Sequence, residues 1–167
     1  MLTDTLTIRL CTRTDLPALE WDGELIHFRN LFAAAYEQMT LGRANIWLIG
    51  TRIQPIAGQA IVQMNGHRAD LADGKQRAYL YGFRVRAAFR NHGLGTYLIA
   101  RIESDLRQRN FAYLTLNVAK DNPDALRLYR RLGYRVIGEE DGHWWYFDHE
   151  NRRREVYEPA WHMEKTL

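Results

Sequence analysis

A single cysteine, Cys11, stands in 167 residues, so no internal disulfide can form and a cysteine-based metal site is excluded. That scarcity fits a reducing compartment. Cys11 follows Thr7-Ile8-Arg9-Leu10 in an expected first strand, where a buried inert thiol is a better reading than a catalytic one. No apolar run approaches the ~20 residues a membrane helix needs. The start, Met1-Leu2-Thr3-Asp4-Thr5, also lacks the basic-then-apolar pattern of a secretion signal. A cytoplasmic protein without a membrane partner is expected. The six histidines show no helical metal spacing and no His-Glu-x-x-His occurs, so no metal is assigned. A Gly-x-Ser-x-Gly elbow is missing too, which removes the commonest hydrolase reading. No repeat or low-complexity tract interrupts the chain. With 46% hydrophobic residues, its length suits one core, and a single domain over residues 1–167 is expected.

The net charge of +3 is unevenly placed. Residues 76–134 carry eleven Lys/Arg against four Asp/Glu, whereas residues 1–75 carry seven against eight and residues 135–167 five against eight. The +7 centre calls for an anionic ligand. Nucleic acid is the rival partner, but no known binding pattern for it occurs and strands punctuate the basic residues. A polyphosphate-bearing small molecule fits better.

The centre is organised as strand, turn and helix. Tyr79-Leu80-Tyr81-Gly82-Phe83 is an apolar run, and Leu94, Leu98, Ile102 and Leu106 fall four apart with Ile99 beside them. This predicts an amphipathic helix with Glu103, Asp105, Arg107 and Gln108 on other faces. Gly93 and Gly95 are poor helix formers at its start, so close approach of a ligand to the protein backbone is the expected reason for them. Unpaired N–H groups at a helix start, with Arg86 and Arg90 nearby, suit a phosphate or pyrophosphate. No Gly-Lys-Ser/Thr follows, and no third glycine stands at Leu98, which removes the Walker and dinucleotide patterns.

Downstream, Ala112 to Val118 alternates with period two and reads as a strand. Asn122-Pro123-Asp124-Ala125-Leu126-Arg127-Leu128-Tyr129-Arg130-Arg131-Leu132-Gly133-Tyr134 then reads as a short helix capped by Asn122 and stopped by Gly133.

Arg90-x-x-Gly93-x-Gly95 after a strand, followed by Asn-x-x-Ala-x-x-Leu-Tyr-x-x-x-Gly-Tyr, resembles the two halves of the acetyl-CoA site of the GNAT N-acetyltransferases. The resemblance covers residues 79–138. It implies an α/β fold with a mixed, mostly antiparallel sheet of about seven strands, splayed at its centre and flanked by about four helices, plus a C-terminal hairpin. It also implies an acyltransferase that moves an acetyl group from acetyl-CoA directly to the amine of a small molecule or peptide. A non-catalytic acyl-CoA-binding or regulatory module is the alternative, and a homodimer is left open. By the family pattern, the backbone near Phe83 to Val85 holds the pantetheine amide. Arg90, Asn91, His92, Gly93, Leu94, Gly95 and Thr96 hold the pyrophosphate, and Asn117 and Asn122 are further cofactor contacts. Tyr129 is the expected general acid toward the leaving thiolate, with packing as its bland alternative.

The flanks are less specific. Thr14-Asp15-Leu16-Pro17 is expected to open a short helix capped by Thr14, and Leu25 to Met39 an amphipathic one. Asn45–Arg52 and Ile56–Met64 read as strands, and residues 65–76 as an exposed loop. Tyr134–Gly138 and Trp161–Lys165 read as strands, and Trp144–Asp148 should pair with Arg154–Tyr157 as a hairpin, leaving Arg152-Arg153-Arg154 at a solvated tip. Glu20, Trp21, Asp22 and Glu24, with Trp144 and Asp148, form a candidate acidic and aromatic acceptor site for a cationic amine. No general base is singled out.

Overall fold

The computed structural model describes residues 5–167. Nine strands and three α-helices follow the order β1 (Thr7–Leu10), α1 (Arg29–Thr40), β2 (Ala44–Gly50), β3 (Gly58–Gln63), β4 (Arg77–Val85), α2 (Leu94–Gln108), β5 (Tyr113–Ala119), α3 (Pro123–Arg131), β6 (Arg135–Glu140), β7 (His143–Phe147), β8 (Arg153–Tyr157) and β9 (Ala160–Thr166). A 3-10 segment, Arg13–Gly23, serves as a fourth helical element ahead of α1.

Seven strands form one sheet in the order β1-β2-β3-β4-β5-β9-β6, while β7 and β8 form a separate hairpin. Every neighbouring pair is antiparallel except β4 and β5. That parallel pair joins Arg77–Leu80 to Tyr113–Leu116 and goes no further. Beyond Leu80 and Leu116 the strands part, so the β5-facing backbone edge of Tyr81–Val85 has no strand partner. On its other edge β4 stays bonded to β3 through a register shift near Gln59/Ile61, where Gly82 takes a positive φ of 59°.

Alternation divides the core between the two faces of the sheet. Leu94, Leu98, Ile99, Ile102 and Leu106 of α2 pack on Leu80, Leu114, Leu116 and Met163 on one face. On the other, Phe32 and Ala35 of α1 pack with Leu19 and Trp21 on Ile46, Leu48 and Ile61. Both stripes bury apolar area that stabilises the fold at about 25 cal/mol per Å2.

Several local expectations are corrected. The first helical segment is capped by Thr12, whose N–H donates to the Asp15 carboxylate at 2.7 Å, rather than by Thr14. This segment ends in left-handed backbone at Trp21 (φ 50°), Asp22 (φ 57°) and Gly23 (φ 102°), which turns the Trp21 ring into the core. The helix expected from Leu25 begins as the 3-10 turn Ile26–Phe28, and α1 proper starts at Arg29. Glu103, expected on a wet face, is buried, where it accepts from the Tyr134 hydroxyl at 2.9 Å and from Lys165 Nζ at 2.9 Å. Residues 65–76 are not simply exposed: Leu71 and Ala72 are buried, and Thr115 Oγ1 donates to the Leu71 carbonyl at 3.2 Å. Cys11 is buried, and burial pushes its thiol up to about 12, consistent with an inert side chain.

The expected hairpin forms as β7–β8, with Trp144 opposite Val156 and with Asp148 outside the strand. Its turn is organised by Asp148, whose Oδ1 accepts from the N–H groups of Glu150 and Arg152 and whose Oδ2 accepts from Arg154 Nε at 2.8 Å. Of the basic run at the tip, Arg152 and Arg154 are therefore tied to Asp148, and Arg153 lies over the Trp145 ring at 4.8 Å. No described helix is long and apolar enough to cross a membrane.

Candidate active site

The gap between the parted strands opens into a cleft of about 1080 Å3, bounded by β4, β5, the start of α2 and one side of α3. Phe83, Val85, Arg90, Asn91, Gly93, Leu94, Gly95, Thr96, Asn117, Asn122 and Tyr129 all line it. His92 does not; its Nδ1 pairs with the Arg90 carbonyl at 2.7 Å inside the loop. Arg127 and Arg131 line the cleft as well, although the motif reading passed over them. Their i,i+4 spacing on α3 was the available signal, since it sets two cations on one helix face.

At the mouth, Gly93 caps α2 with a φ of 82°, a left-handed conformation that side chains other than glycine rarely take. The first helical bond runs from the Tyr97 N–H to the Gly93 carbonyl at 3.0 Å, leaving the N–H groups of Leu94, Gly95 and Thr96 without helical partners. Three donors at a positive helix end form an anion cradle. Gly95 has a different reason to be glycine: a Cβ there would stand 2.9 Å from Cζ of Phe83. The ring, rather than an approaching ligand alone, occupies that space. Arg86 is also corrected. Its Nε donates to the Ile56 carbonyl at 2.9 Å and its guanidinium lies 5.3 Å from the Trp21 ring, so it braces the first helical segment.

Deeper in, Tyr129 is buried, with its ring centroid 6.3 Å from Phe83 and 5.8 Å from Tyr134. Burial raises its phenol above the ordinary value, so the proton stays on oxygen at neutral pH. Its hydroxyl makes no hydrogen bond among the described residues and is free to act in the cleft. Asn122 spends its side-chain oxygen on the Ala125 N–H at 3.1 Å, capping α3. Asn117 sits where the strands part; its Nδ2 donates to the Tyr79 hydroxyl at 3.3 Å, and its Oδ1 pairs with His162 Nδ1 at 2.7 Å.

Two carboxylates that the motif reading leaves out of the site line the cleft: Asp124, ion-paired with Arg127, and Glu158. Glu158, just before β9, lines the cleft with Tyr81, Gly82, Phe83 and Arg84. Burial lowers the Arg84 guanidinium from its ordinary value, while the Glu158 carboxylate, lining the same cleft, works in the opposite direction. The Glu158 backbone is held by its N–H bond to the Gly142 carbonyl at 3.0 Å, and its side chain forms no ion pair among the described residues.

The residues expected to gather an acceptor are not brought together. Glu20 is paired with Arg29 at 2.9 Å, while Trp21 is buried with its indole N–H donating to Gln59 Oε1 at 3.0 Å. No face of that indole is open to stack an amine. Asp22 and Glu24 are exposed, Trp144 lies on the separate hairpin, and Asp148 is consumed by its turn. None of the six lines this cleft. No group of three or more His, Cys, Asp or Glu is placed to hold a metal among the described residues.

A sheet opened at its one parallel pair, with an anion cradle at the mouth, is the architecture of the acetyltransferase class. The model of the acetyltransferase (GNAT) family matches residues 13–134, and the chain belongs to that family. A 5-NmdU N-acetyltransferase of Pseudomonas phage PaMx11 is 43% identical over 63 residues, 38% of this chain and 43% of that protein. The chain thus matches less than half the length of that curated relative. Among solved structures, Ard1 from Thermoplasma volcanium shares the fold at a TM-score of 0.74 and 17% identity, over 98% of each chain. The ribosomal-protein-S18-alanine N-acetyltransferase from Escherichia coli does so at 0.70 and 22%, covering 97% of this chain and 94% of that one.

Proposed function

We propose that this chain is an N-acetyltransferase that moves an acetyl group from acetyl-CoA directly to a primary amine. The observation that carries the reading is the convergence of the anion cradle, the unpaired β4 edge and the Tyr129 hydroxyl on one cleft. The residues present fit the co-substrate. Leu94, Gly95 and Thr96 N–H groups, with Arg90, Arg127 and Arg131, match a pyrophosphate and a further phosphate. The unpaired strand edge over Tyr81–Val85 supplies N–H and C=O groups for an amide-bearing arm. When bound, acetyl-CoA supplies an activated acyl carbon with a thiolate leaving group.

Each protein group then has a task. A backbone N–H on the open β4 edge donates to the carbonyl oxygen as charge develops there, an effect worth roughly 3–4 kcal/mol per donor in comparable sites. Glu158 takes a proton from the attacking amine as the C–N bond forms. Tyr129 donates its proton to sulfur as the C–S bond breaks, and is then reprotonated from solvent. Its raised pKa makes it a reluctant acid, so donation depends on direct contact with the developing thiolate. No nucleophile stands in either motif, which favours direct transfer over an acyl-enzyme.

Thiol release measured with acetyl-CoA and an amine panel tests the reading. The panel includes 5-NmdU, from the name of the phage relative, alongside a polyamine and a peptide amine. Amine-dependent release is expected; acetyl-CoA binding without release on any amine would leave a binding module instead.

A further inference from the structure

A second cavity, of about 640 Å3, lies on the α1 face of the sheet and meets the cleft at Tyr81, which lines both. Tyr79 lines it too, and its hydroxyl is bonded to the cleft residue Asn117. The cavity therefore opens onto the point where the strands part, the place from which an amine must enter. Its wall is built: Leu71 and Ala72 are buried, and the Leu71 carbonyl is held by Thr115.

The lining is selective in chemistry. Tyr79 and Tyr81 form a parallel pair, with centroids 5.7 Å apart and planes within 15°. Around this platform stand Arg43, Arg68, Gln63 and Asn65, and no carboxylate lines the cavity. Arg68 is already paired with Asp70 and Glu140, but the Arg43 guanidinium forms no ion pair among the described residues. The Arg68 charge is met by Asp70 and Glu140, so the uncompensated charge at the cavity is that of Arg43, which disfavours a cation placed beside it. A flat ring finds a stacking surface, amide groups for its edge and a free cation for an anion. The volume lies in the ~300–1,000 Å3 range of small-molecule sites.

We infer that this cavity seats the acceptor, and that the acceptor is an alkyl amine on a flat, phosphate-bearing ring system, a nucleotide by class. This rests on the acetyl-transfer reading of the adjoining cleft. The amine reaches the strand fork past Tyr81, the ring lies on the tyrosine pair, and the phosphate meets Arg43. A free nucleotide and a nucleotide within a single strand share this chemistry.

The test is thiol release with five acceptors: an aminomethyl-pyrimidine mononucleotide, its nucleoside, a single-stranded oligonucleotide carrying one such base, spermidine and a peptide amine. The mononucleotide or the oligonucleotide is expected to exceed nucleoside, spermidine and peptide by about tenfold or more in kcat/KM, and whichever of the two leads identifies the source. Arg43→Glu should raise KM for the phosphate-bearing acceptor about tenfold while leaving kcat, the nucleoside's KM and the Tm in place. Preference for spermidine or peptide, or an unchanged KM in a folded Arg43→Glu protein, overturns the inference and leaves acetyl transfer standing. Release with none of the five overturns both.

Discussion

Gly95→Ala separates the two reasons for a glycine in the cradle. The added Cβ would lie 2.9 Å from Cζ of Phe83 and 3.6 Å from its Cε1. Ordinary carbon contacts sit at about 3.5–4.0 Å, so the ring must retreat by roughly 0.6 Å or more. Overpacking of this kind costs about 1–3 kcal/mol, and Ala returns about 1 kcal/mol of helix propensity. The net loss of stability is then about 0–2 kcal/mol, which for a chain of this size lowers Tm by no more than roughly 8 °C. Function should suffer more, because Phe83 lines the cleft and its retreat is toward the acyl arm or toward Tyr129, 6.3 Å away. Acetyl-CoA affinity measured by calorimetry should fall about tenfold, equivalent to about 1.4 kcal/mol. Phe83→Leu removes the colliding atoms, so the effect of Gly95→Ala should shrink markedly when both changes are present, and a double-mutant cycle reads that coupling. Wild-type affinity in Gly95→Ala, or equal losses with and without Phe83→Leu, would refute the ring-mediated account.

Tyr129→Phe keeps the ring and removes the proton, so turnover should fall by about 10²–10⁴-fold with acetyl-CoA affinity retained; unchanged turnover with chemistry rate-limiting would leave Tyr129 a packing residue. Glu158→Gln should depress turnover most at neutral pH and recover as pH rises and more of the amine arrives already deprotonated, whereas a loss equal at every pH would remove Glu158 from proton transfer. For stability, the Arg9 guanidinium, followed by the Thr12 bonds, holds the Asp15 carboxylate well below the usual range, so folding is favoured by its ionised form. That contribution is complete above the unfolded value near 3.9 and is lost as pH falls toward the folded value. Urea titrations of wild type and Asp15→Asn should therefore differ most at pH 7, with a gap that narrows steadily as pH falls below about 4; a constant gap would contradict the linkage.

What could be read from the sequence was local. The Leu94/Leu98/Ile102/Leu106 stripe, the Asn122 cap and the hairpin between the Trp144 and Arg154 segments each depend on neighbours within a turn or a hairpin, and each is found. Polar residues failed where their partners are remote. Glu103 reads as solvent-facing because Tyr134 and Lys165, which bury it, lie 31 and 62 residues away. Asp148 is a different case: its carboxylate partners are local, at Glu150, Arg152 and Arg154, but an aspartate at a hairpin turn carries no signal that separates a turn-organising role from an acceptor-binding one. Trp21 is drawn inward by Gln59, 38 residues on, through left-handed backbone that no periodicity signals. The Thr12 cap is legible, because Thr12-x-x-Asp15 is itself a helix-start signal.

The parallel pair explains why the chemistry sits where it does. β4 and β5 share only four residue pairs, and each strand keeps an antiparallel partner on its other edge, so the sheet can open between them without losing β3 or β9. The opening exposes backbone donors at the depth of Tyr81 and Asn117, with the free N–H groups at the start of α2 on one side and the Tyr79/Tyr81 cavity on the other. An amine and an acyl carbon react only within about 3–3.5 Å, so the groups able to move protons in the reaction are those at the opening, Tyr129 and Glu158 among them. Arg43 and the arginines of α3 lie farther along each arm. Their substitution should therefore act on KM for one substrate at a time, whereas changes at the opening should act on kcat for every acceptor.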